Sequence, residues 1–393
     1  MPLPRPDGRR SALLALGATA LAGAFAVPAS AATKVVYAGP PEQLAGAPRS
    51  LEVDAFFRRN VTVGAGDRVR WEMRGFHTIT FVPRGTPAPK FVRFDPVQRI
   101  TGYRDLTGRP FAFSDIGIPA LYLGTGVIHR LGGDSYDGAR LISSGIPPLN
   151  GTVRPYSLRF PTAGTYRYVC LTHPGSRNVA NGMSGTITVL PRGSRVPSAS
   201  ADRAAARAQL ASITRRARRL DRWRGPSGPR VEAGNDRTDG ITLLRFFPRV
   251  KRIRAGQTVE FAIAPGSLSF HTVTFGPERA LRPLRRQFTQ TPGGPGRPPH
   301  LRVNPTTFFG TEPWALGSDP ATPVPDYDGR NHGNGLLSLV AMDIDATPDS
   351  PNPRRTRMRF TRPGSYRFEC LVHRGMTGRI DVSARSRAPS LPG

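Results

Sequence analysis

The segments Phe160-Pro-Thr-Ala-Gly-Thr-Tyr-Arg-Tyr-Val-Cys170-Leu-Thr-His173 and Phe360-Thr-Arg-Pro-Gly-Ser-Tyr-Arg-Phe-Glu-Cys370-Leu-Val-His373 decide how this chain is read. They keep Phe, Gly, Tyr, Arg, Cys, Leu and His in matching places, 200 positions apart. Upstream, Gly75-Phe-His77-Thr-Ile-Thr-Phe81 matches Ser269-Phe-His271-Thr-Val-Thr-Phe275 at an offset of 194. Between these landmarks Tyr136-Asp-Gly138 recurs as Tyr327-Asp-Gly329. Conserved order and spacing within one chain mark a duplicated domain.

Each copy opens on alternating, β-branched stretches broken by Gly turns. Val61-Thr-Val and Arg68-Val-Arg-Trp71 flank Gly64-Ala-Gly-Asp67. Val250 to Ile253 and Thr258-Val-Glu-Phe261 flank Arg254-Ala-Gly-Gln257. Each copy closes on a further strand, Gly185-Thr-Ile-Thr-Val189 or Gly378-Arg-Ile-Asp-Val382. Period-two alternation and frequent turn residues predict an all-β chain of two β-sandwiches, residues 32–192 and 230–385. Gly (43) and Pro (41) exceed a fifth of the chain, which favours short strands over long helices.

Residues 193–229 separate the copies. There Ala206, Leu210, Ile213, Ala217 and Leu220 fall three or four apart. That spacing predicts a helix from Ala199 to Arg224, basic through eight Arg against two Asp, joining the sandwiches. It packs on a sandwich or lies on a membrane surface. Gly225 to Gly228 and Glu232 to Gly240 read as flexible joins, and residues 386–393 as a loose tail.

Residues 1–31 read as an export signal. Arg5, Arg9 and Arg10 precede an apolar run from Ala12 to Val27, and Ala29-Ser30-Ala31 is a small-residue cleavage site. The formal charge is +29, and removing that segment, with three Arg and one Asp, leaves +27. Nucleic acid is the usual partner of such charge, and export argues against it. An anionic surface or an acidic partner protein fits better. The expected location is the periplasm, the cell envelope or the exterior.

The chemistry-bearing motif is Cys370-x-x-His373-x-x-Met376, to which the earlier strand would add His271. One soft thiolate, two imidazoles and a weak thioether form the donor set of a blue-copper electron-transfer site. Thiolate and imidazole suit both Cu(I) and Cu(II). In the first copy His77, Cys170 and His173 occupy the same places. Nine residues then separate His173 from Met183, yet Gly182-Met-Ser-Gly185 matches Gly375-Met-Thr-Gly378. An inserted loop, Pro174 to Asn181, accounts for the difference and makes Met183 the fourth ligand. Met73, Met342 and Met358 lack that context and read as core. Zinc is the chemical rival, but Met is a poor zinc ligand and structural zinc sites use more Cys. Cys170 and Cys370 are the only cysteines, and a disulfide between them would strand both histidine pairs.

These motifs resemble the cupredoxin family, which includes plastocyanin, pseudoazurin and amicyanin. The short Cys-x2-His-x2-Met spacing is most similar to amicyanin. The resemblance spans the framework of both halves, roughly residues 33–192 and 230–385. It implies two tandem Greek-key cupredoxin sandwiches. It also implies two copper ions, one on His77, Cys170, His173 and Met183, the other on His271, Cys370, His373 and Met376. The implied function is single-electron transfer with a redox partner protein.

Copper oxidoreductases are built from similar domains, with His residues flanking the Cys to reach a second copper centre. Here Val169 and Leu171 flank Cys170, and Glu369 and Leu371 flank Cys370. The remaining histidines, His129, His300 and His332, are isolated in long insertions. An enzyme is therefore the weaker reading. Copper storage or delivery in the cell envelope is the alternative that uses the same ligands. The insertions, rich in Pro, Gly and aromatics, would cap the sites, bind a partner or pair the two domains. Asp134, Asp137, Asp326 and Asp328 lie near the repeated Tyr-Asp-Gly turns, without the spacing of a calcium loop.

Overall fold

Alternation becomes architecture in the strand Arg68–Met73. Val69, Trp71 and Met73 point inward while Arg68, Arg70 and Glu72 face out. The strand Thr33–Ala38 lies parallel to it, with Val36 beside Trp71. Tyr156–Arg159 and Phe56–Phe57 complete a four-stranded sheet in the order 156–159, 68–73, 33–38, 56–57. A second sheet runs 60–64, 184–190, 164–169, 80–81, 142–143. The two faces meet in one core that includes Val36, Trp71 and Leu158 from the first and Val61, Phe81, Tyr168 and Ile187 from the second. The structure is a computed structural model. It describes residues 31–42, 50–147, 154–173, 182–235, 240–264, 267, 269–291, 300–312, 324–342 and 353–384. The export segment up to residue 30, the inserted loop 174–181 and the tail lie outside them.

The second half repeats this plan. One sheet runs 246–247, 230–233, 258–263, 355–360, 326–327, and the other 250–254, 377–383, 364–369, 274–275, 337–338. Phe246, Phe261, Phe275, Phe360 and Phe368 fill the space between them. The repeated tyrosine now has a role. The hydroxyl of Tyr166 donates to Thr162 O at 3.0 Å, and that of Tyr366 donates to Arg362 O at 3.1 Å. Tyr136 and Tyr327 drop into the two cores against Phe81 and Phe275, each at 4.7 Å between ring centres. The nearby acids serve turns and ion pairs. Asp134 meets Arg130, Asp326 meets Arg359, and Asp137 and Asp328 accept backbone N–H groups.

The halves are joined far more tightly than a linker requires. The insertions contribute to one four-stranded sheet in the order 288–291, 300–303, 118–123, 92–100. Residue Arg302 pairs with Tyr122 across the seam. A third core lies there, with Phe113, Leu121 and Val127 from one half and Val303, Phe308 and Phe309 from the other. A second junction pairs Leu51–Glu52 with Thr242–Leu243. Both junctions are antiparallel and centred on equivalent residues. Glu52 and Thr242 each stand four positions before a matching Phe-Phe strand and pair with each other. Tyr122 and Arg302 each stand two positions before the residue capping a short helix. The hydrogen bonds from Asp54 N to Gly240 O and from Leu244 N to Ser50 O are likewise equivalent. Equivalent residues that face one another relate the halves by an approximate two-fold axis. Residues 32–393 accordingly form one compact unit.

A helix, Ala199–Asp221, begins where the Ser198 hydroxyl accepts from Ala201 N. Its buried stripe, Leu210, Ile213 and Ala217, packs on Val53, Phe57 and Ile241. Lys34 and Arg58 hold Asp202 near its start, and Arg245 of the second half holds Asp221 at its end. Among the described residues no helix is long and apolar enough to cross a membrane. The join expected from Glu232 to Gly240 is different in part. Glu232 belongs to the strand Arg230–Ala233 and is buried, as is Asn235, whose side-chain amide reaches Leu220 O. The sheet needs this backbone between Thr258–Ile263 and Phe246–Phe247, and that need overrides the polar sequence.

Ile213 is 2% exposed at the meeting of helix and both halves. Replacing it with Ala is expected to cost about 2–5 kcal/mol, read from the shift of the urea midpoint.

Candidate metal centres

Strand pairing brings the distant ligand candidates together. The strand Gly164–Val169 runs antiparallel to Thr80–Phe81, and Gly364–Glu369 runs antiparallel to Thr274–Phe275. His77 and His271 sit just before the short strands, while Cys170 and Cys370 sit just after the long ones. All four land at one end of their sandwich. The threonine after each histidine locks this approach. Leu171 N donates to Thr78 Oγ1 and Leu371 N to Thr272 Oγ1, both at 2.7 Å. The backbone N–H of Thr78 points at Cys170 Sγ at 3.3 Å, and that of Thr272 at Cys370 Sγ at 3.4 Å. These threonines were part of the repeated motif, and the repetition itself was the signal of their role.

The methionines arrive by a shared backbone arrangement. Cys170 N donates to Met183 O at 2.8 Å, and Met183 N to His173 O at 3.0 Å. Cys370 N donates to Met376 O at 2.9 Å, and Met376 N to His373 O at 3.2 Å. The seven extra residues of the first copy therefore leave the Met-Cys relation unchanged. Both methionines are buried in the same cores as their cysteines. The glycine two places after each Met is required by close approach. A Cβ on Gly185 would stand 2.5 Å from the Tyr168 ring, and one on Gly378 would stand 2.3 Å from the Phe368 ring.

Ring nitrogens and thiols converge in both halves. In the first, Cys170 Sγ lies 3.9 Å from His77 Nδ1 and 3.7 Å from His173 Nδ1, and the two nitrogens are 3.2 Å apart. In the second, Cys370 Sγ lies 4.0 Å from His271 Nδ1 and 3.6 Å from His373 Nδ1. Ligand atoms about 2.0–2.3 Å from one ion, at tetrahedral to trigonal angles, stand roughly 3.3–3.8 Å apart. Both clusters fit one soft or borderline cation each. Cys170 and Cys370 are free thiols. Met73, Met342 and Met358 are core residues, and Met342 exchanges two backbone hydrogen bonds with His271. Among the described residues His129, His300 and His332 enter no metal-sized group. His332 instead stands between Asp105 Oδ2 at 2.8 Å and Glu312 Oε1 at 2.6 Å.

Burial dominates the electrostatics. It lowers His77 to about 3 with help from His173, lowers His173 to about 4, and drives His271 well below its ordinary value. His373 falls to about 4 through burial and then through the charge of His173, so the outer rings of the two centres sense each other across the seam. Burial also raises both thiols, against several hydrogen bonds that favour the thiolate. The sites are therefore built for neutral imidazoles, and cation binding would release a thiol proton.

The halves differ in three ways. The Thr172 hydroxyl lies 2.9 Å from Cys170 Sγ while donating to Phe76 O, where the second half has Val372. His173 is 6% exposed, whereas His373 is only partly buried. Asp54, which no sequence pattern singled out, is 1% exposed and places Oδ1 3.4 Å from His173 Nε2. Glu52, Asp54 and His173 keep their ligand atoms within 4.8 Å of one another. The insertions support the ligand loops directly. Gln287 donates to Leu371 O and Val372 O, and Leu171 packs into the third core.

No family model matches the chain, and no curated protein matches it. Solved structures of small copper proteins align with part of it. A reduced Cu(I) form of an amicyanin mutant at pH 4 shares 12% identity over 40% of this chain and 85% of its own, with a TM-score of 0.20. Oxidized plastocyanin from Dryopteris crassirhizoma shares 18% identity over 39% of this chain and 99% of its own, with a TM-score of 0.18.

Acid should destabilise the metal-free protein by a signed route. His77, His173 and His373 titrate near 6.5 when unfolded but near 3 to 4 when folded, so at these rings the unfolded state binds more protons in between. The contribution of these rings to stability is complete above about pH 6.5 and falls as pH drops toward 4, with His173 and His373 each contributing about 3 kcal/mol. Urea titrations at pH 7 and pH 4.5 should show it, and equal midpoints would contradict it.

Proposed function

We propose that the chain is an exported copper protein of two tandem Greek-key cupredoxin domains, acting in single-electron transfer. The supporting observation is the doubled cluster of Cys Sγ and two His Nδ1 atoms, each closed by a buried Met at the same backbone position. His77, Cys170, His173 and Met183 would hold one ion, and His271, Cys370, His373 and Met376 the other. Copper supplies a one-electron Cu(I)/Cu(II) couple in such a donor set.

The chain's own part is to keep the donors still and dry. Thr78 and Thr272 hold the thiol loops, and the backbone N–H groups behind each Sγ stabilise negative sulfur. Rigid, buried donors favour keeping the metal over releasing it, which sets electron transfer above copper delivery. The partly exposed ring of His373, with exposed Arg374 and Gly375 beside it, is the natural approach for a redox partner. On the helix, Arg203, Arg207 and Arg215, with Arg222 at its C-cap, face solvent and would receive an acidic partner or an anionic envelope surface.

Loading the mature protein with Cu(II) is expected to give an intense thiolate-to-copper band, two coppers per chain and bleaching on reduction. Cys170→Ser and Cys370→Ser should each remove one copper and about half the band. A protein without the band, or one whose copper passes at once to a chelator, would sink the electron-transfer reading.

A further inference from the structure

Burying a carboxylate costs several kcal/mol unless something answers its charge. Asp54 is buried, yet its answer within the protein is slight. Oδ2 accepts one hydrogen bond from the Thr242 hydroxyl of the other half, at 2.9 Å. Oδ1 has no hydrogen-bond partner, and it faces His173 Nε2 at 3.4 Å. His173 turns Nδ1 toward Cys170, so a neutral, ligating ring must carry its proton on Nε2. That nitrogen lies 3.4 Å from Asp54 Oδ1.

The approximate two-fold axis supplies an internal control. Asp54 N bonds Gly240 O, and Leu244 N bonds Ser50 O, so Leu244 occupies the place of Asp54 in the second half. Among the described residues His373 makes no ion pair. One scaffold thus carries the same ligand motif twice, with a carboxylate behind the outer histidine in only one copy. Glu52, on the axis, adds a second carboxylate near the same ring.

Resting on the copper reading above, we infer that Asp54 is a positioning residue that sets the first centre apart from the second. It holds the His173 ring with Nδ1 turned inward and makes that nitrogen a stronger donor. A stronger donor favours Cu(II) over Cu(I), so Asp54 pulls the reduction potential of the first centre down. Outer-shell partners of this kind change metal affinity by about 10–100-fold. If the change falls on Cu(II) alone, it corresponds to about 60–120 mV for one electron. The axis partner Thr242 carries the arrangement across the seam, so the second half helps tune the centre of the first.

The test isolates each centre in the full-length mature chain. Cys370→Ser leaves the first centre alone, and Cys170→Ser leaves the second. Asp54→Asn and Asp54→Leu are added to each background, and spectroelectrochemistry follows the charge-transfer band while competition with a chelator gives Cu(II) affinity. The expected result is a 10–100-fold weaker hold on Cu(II), and a potential higher by the corresponding 60–120 mV, at the first centre only. Asn keeps the shape of Asp and guards against a variant that fails to fold, and Thr242→Val should move the first potential the same way by less. An unmoved first potential with the band intact would overturn the inference while leaving the copper reading standing. So would a third metal ion per chain lost on Asp54→Asn, since Asp54 would then be a ligand itself. Absence of the band from both single-centre proteins would overturn the copper reading, and this inference with it.

Discussion

Everything in this molecule depends on one antiparallel contact made twice, Val169 against Thr80 and Glu369 against Thr274. It closes loops of about 90 residues, a costly ordering that local structure cannot repay. The return comes from the aromatic core beneath. Tyr168 lies on Phe81, and Phe368 on Phe275, with ring centres 5.3 and 5.1 Å apart. Once those rings stack, the chain just beyond them has no freedom left. The histidine, the cysteine and the loop to the methionine are delivered to the same end of the sandwich. The two Cys-His clusters are therefore a consequence of core packing, one step past the last buried ring.

That origin explains why the motif is wider than its candidate ligands. Thr78 and Thr272 serve the loop backbone, Tyr166 and Tyr366 tie the strand entry, and Gly185 and Gly378 make room for a ring. Each is a packing or hydrogen-bonding necessity of bringing the strands together. It also explains how the first copy carries seven more residues between its His and its Met. The added loop departs after His173 and rejoins before Met183, outside the backbone bonds that set the Met-Cys relation.

The two halves repeat one arrangement of sheets, and the insertions join them into a single body. Each insertion offers an edge strand, and an unpaired edge seeks a partner. The equivalent strand of the other half satisfies it, since an antiparallel pair can be self-complementary. The same logic governs the shorter pair at Glu52 and Thr242. Symmetry then places the outer histidines near a common seam, and a departure from symmetry, Asp54 against Leu244, becomes chemically meaningful there.

Much of this was written in the sequence. Period-two alternation at Arg68–Met73, the repeated Phe-His-Thr and the Cys-x2-His spacing are local, so the strands, the duplication and the ligand candidates could be read directly. The helical stripe from Ala206 to Leu220 was equally plain. What only the tertiary structure decided involves residues with no periodic signal. Glu232 and Asn235 look like a polar join and are buried, because sheet pairing outranks side-chain polarity. Asp54 stands alone in its segment, and only the arrival of Thr242 and His173 from distant parts of the chain gives it meaning. That the insertions pair the two halves was one of three roles open to the sequence, and only the structure chose it, since edge strands carry their pairing in the backbone, which every sequence shares.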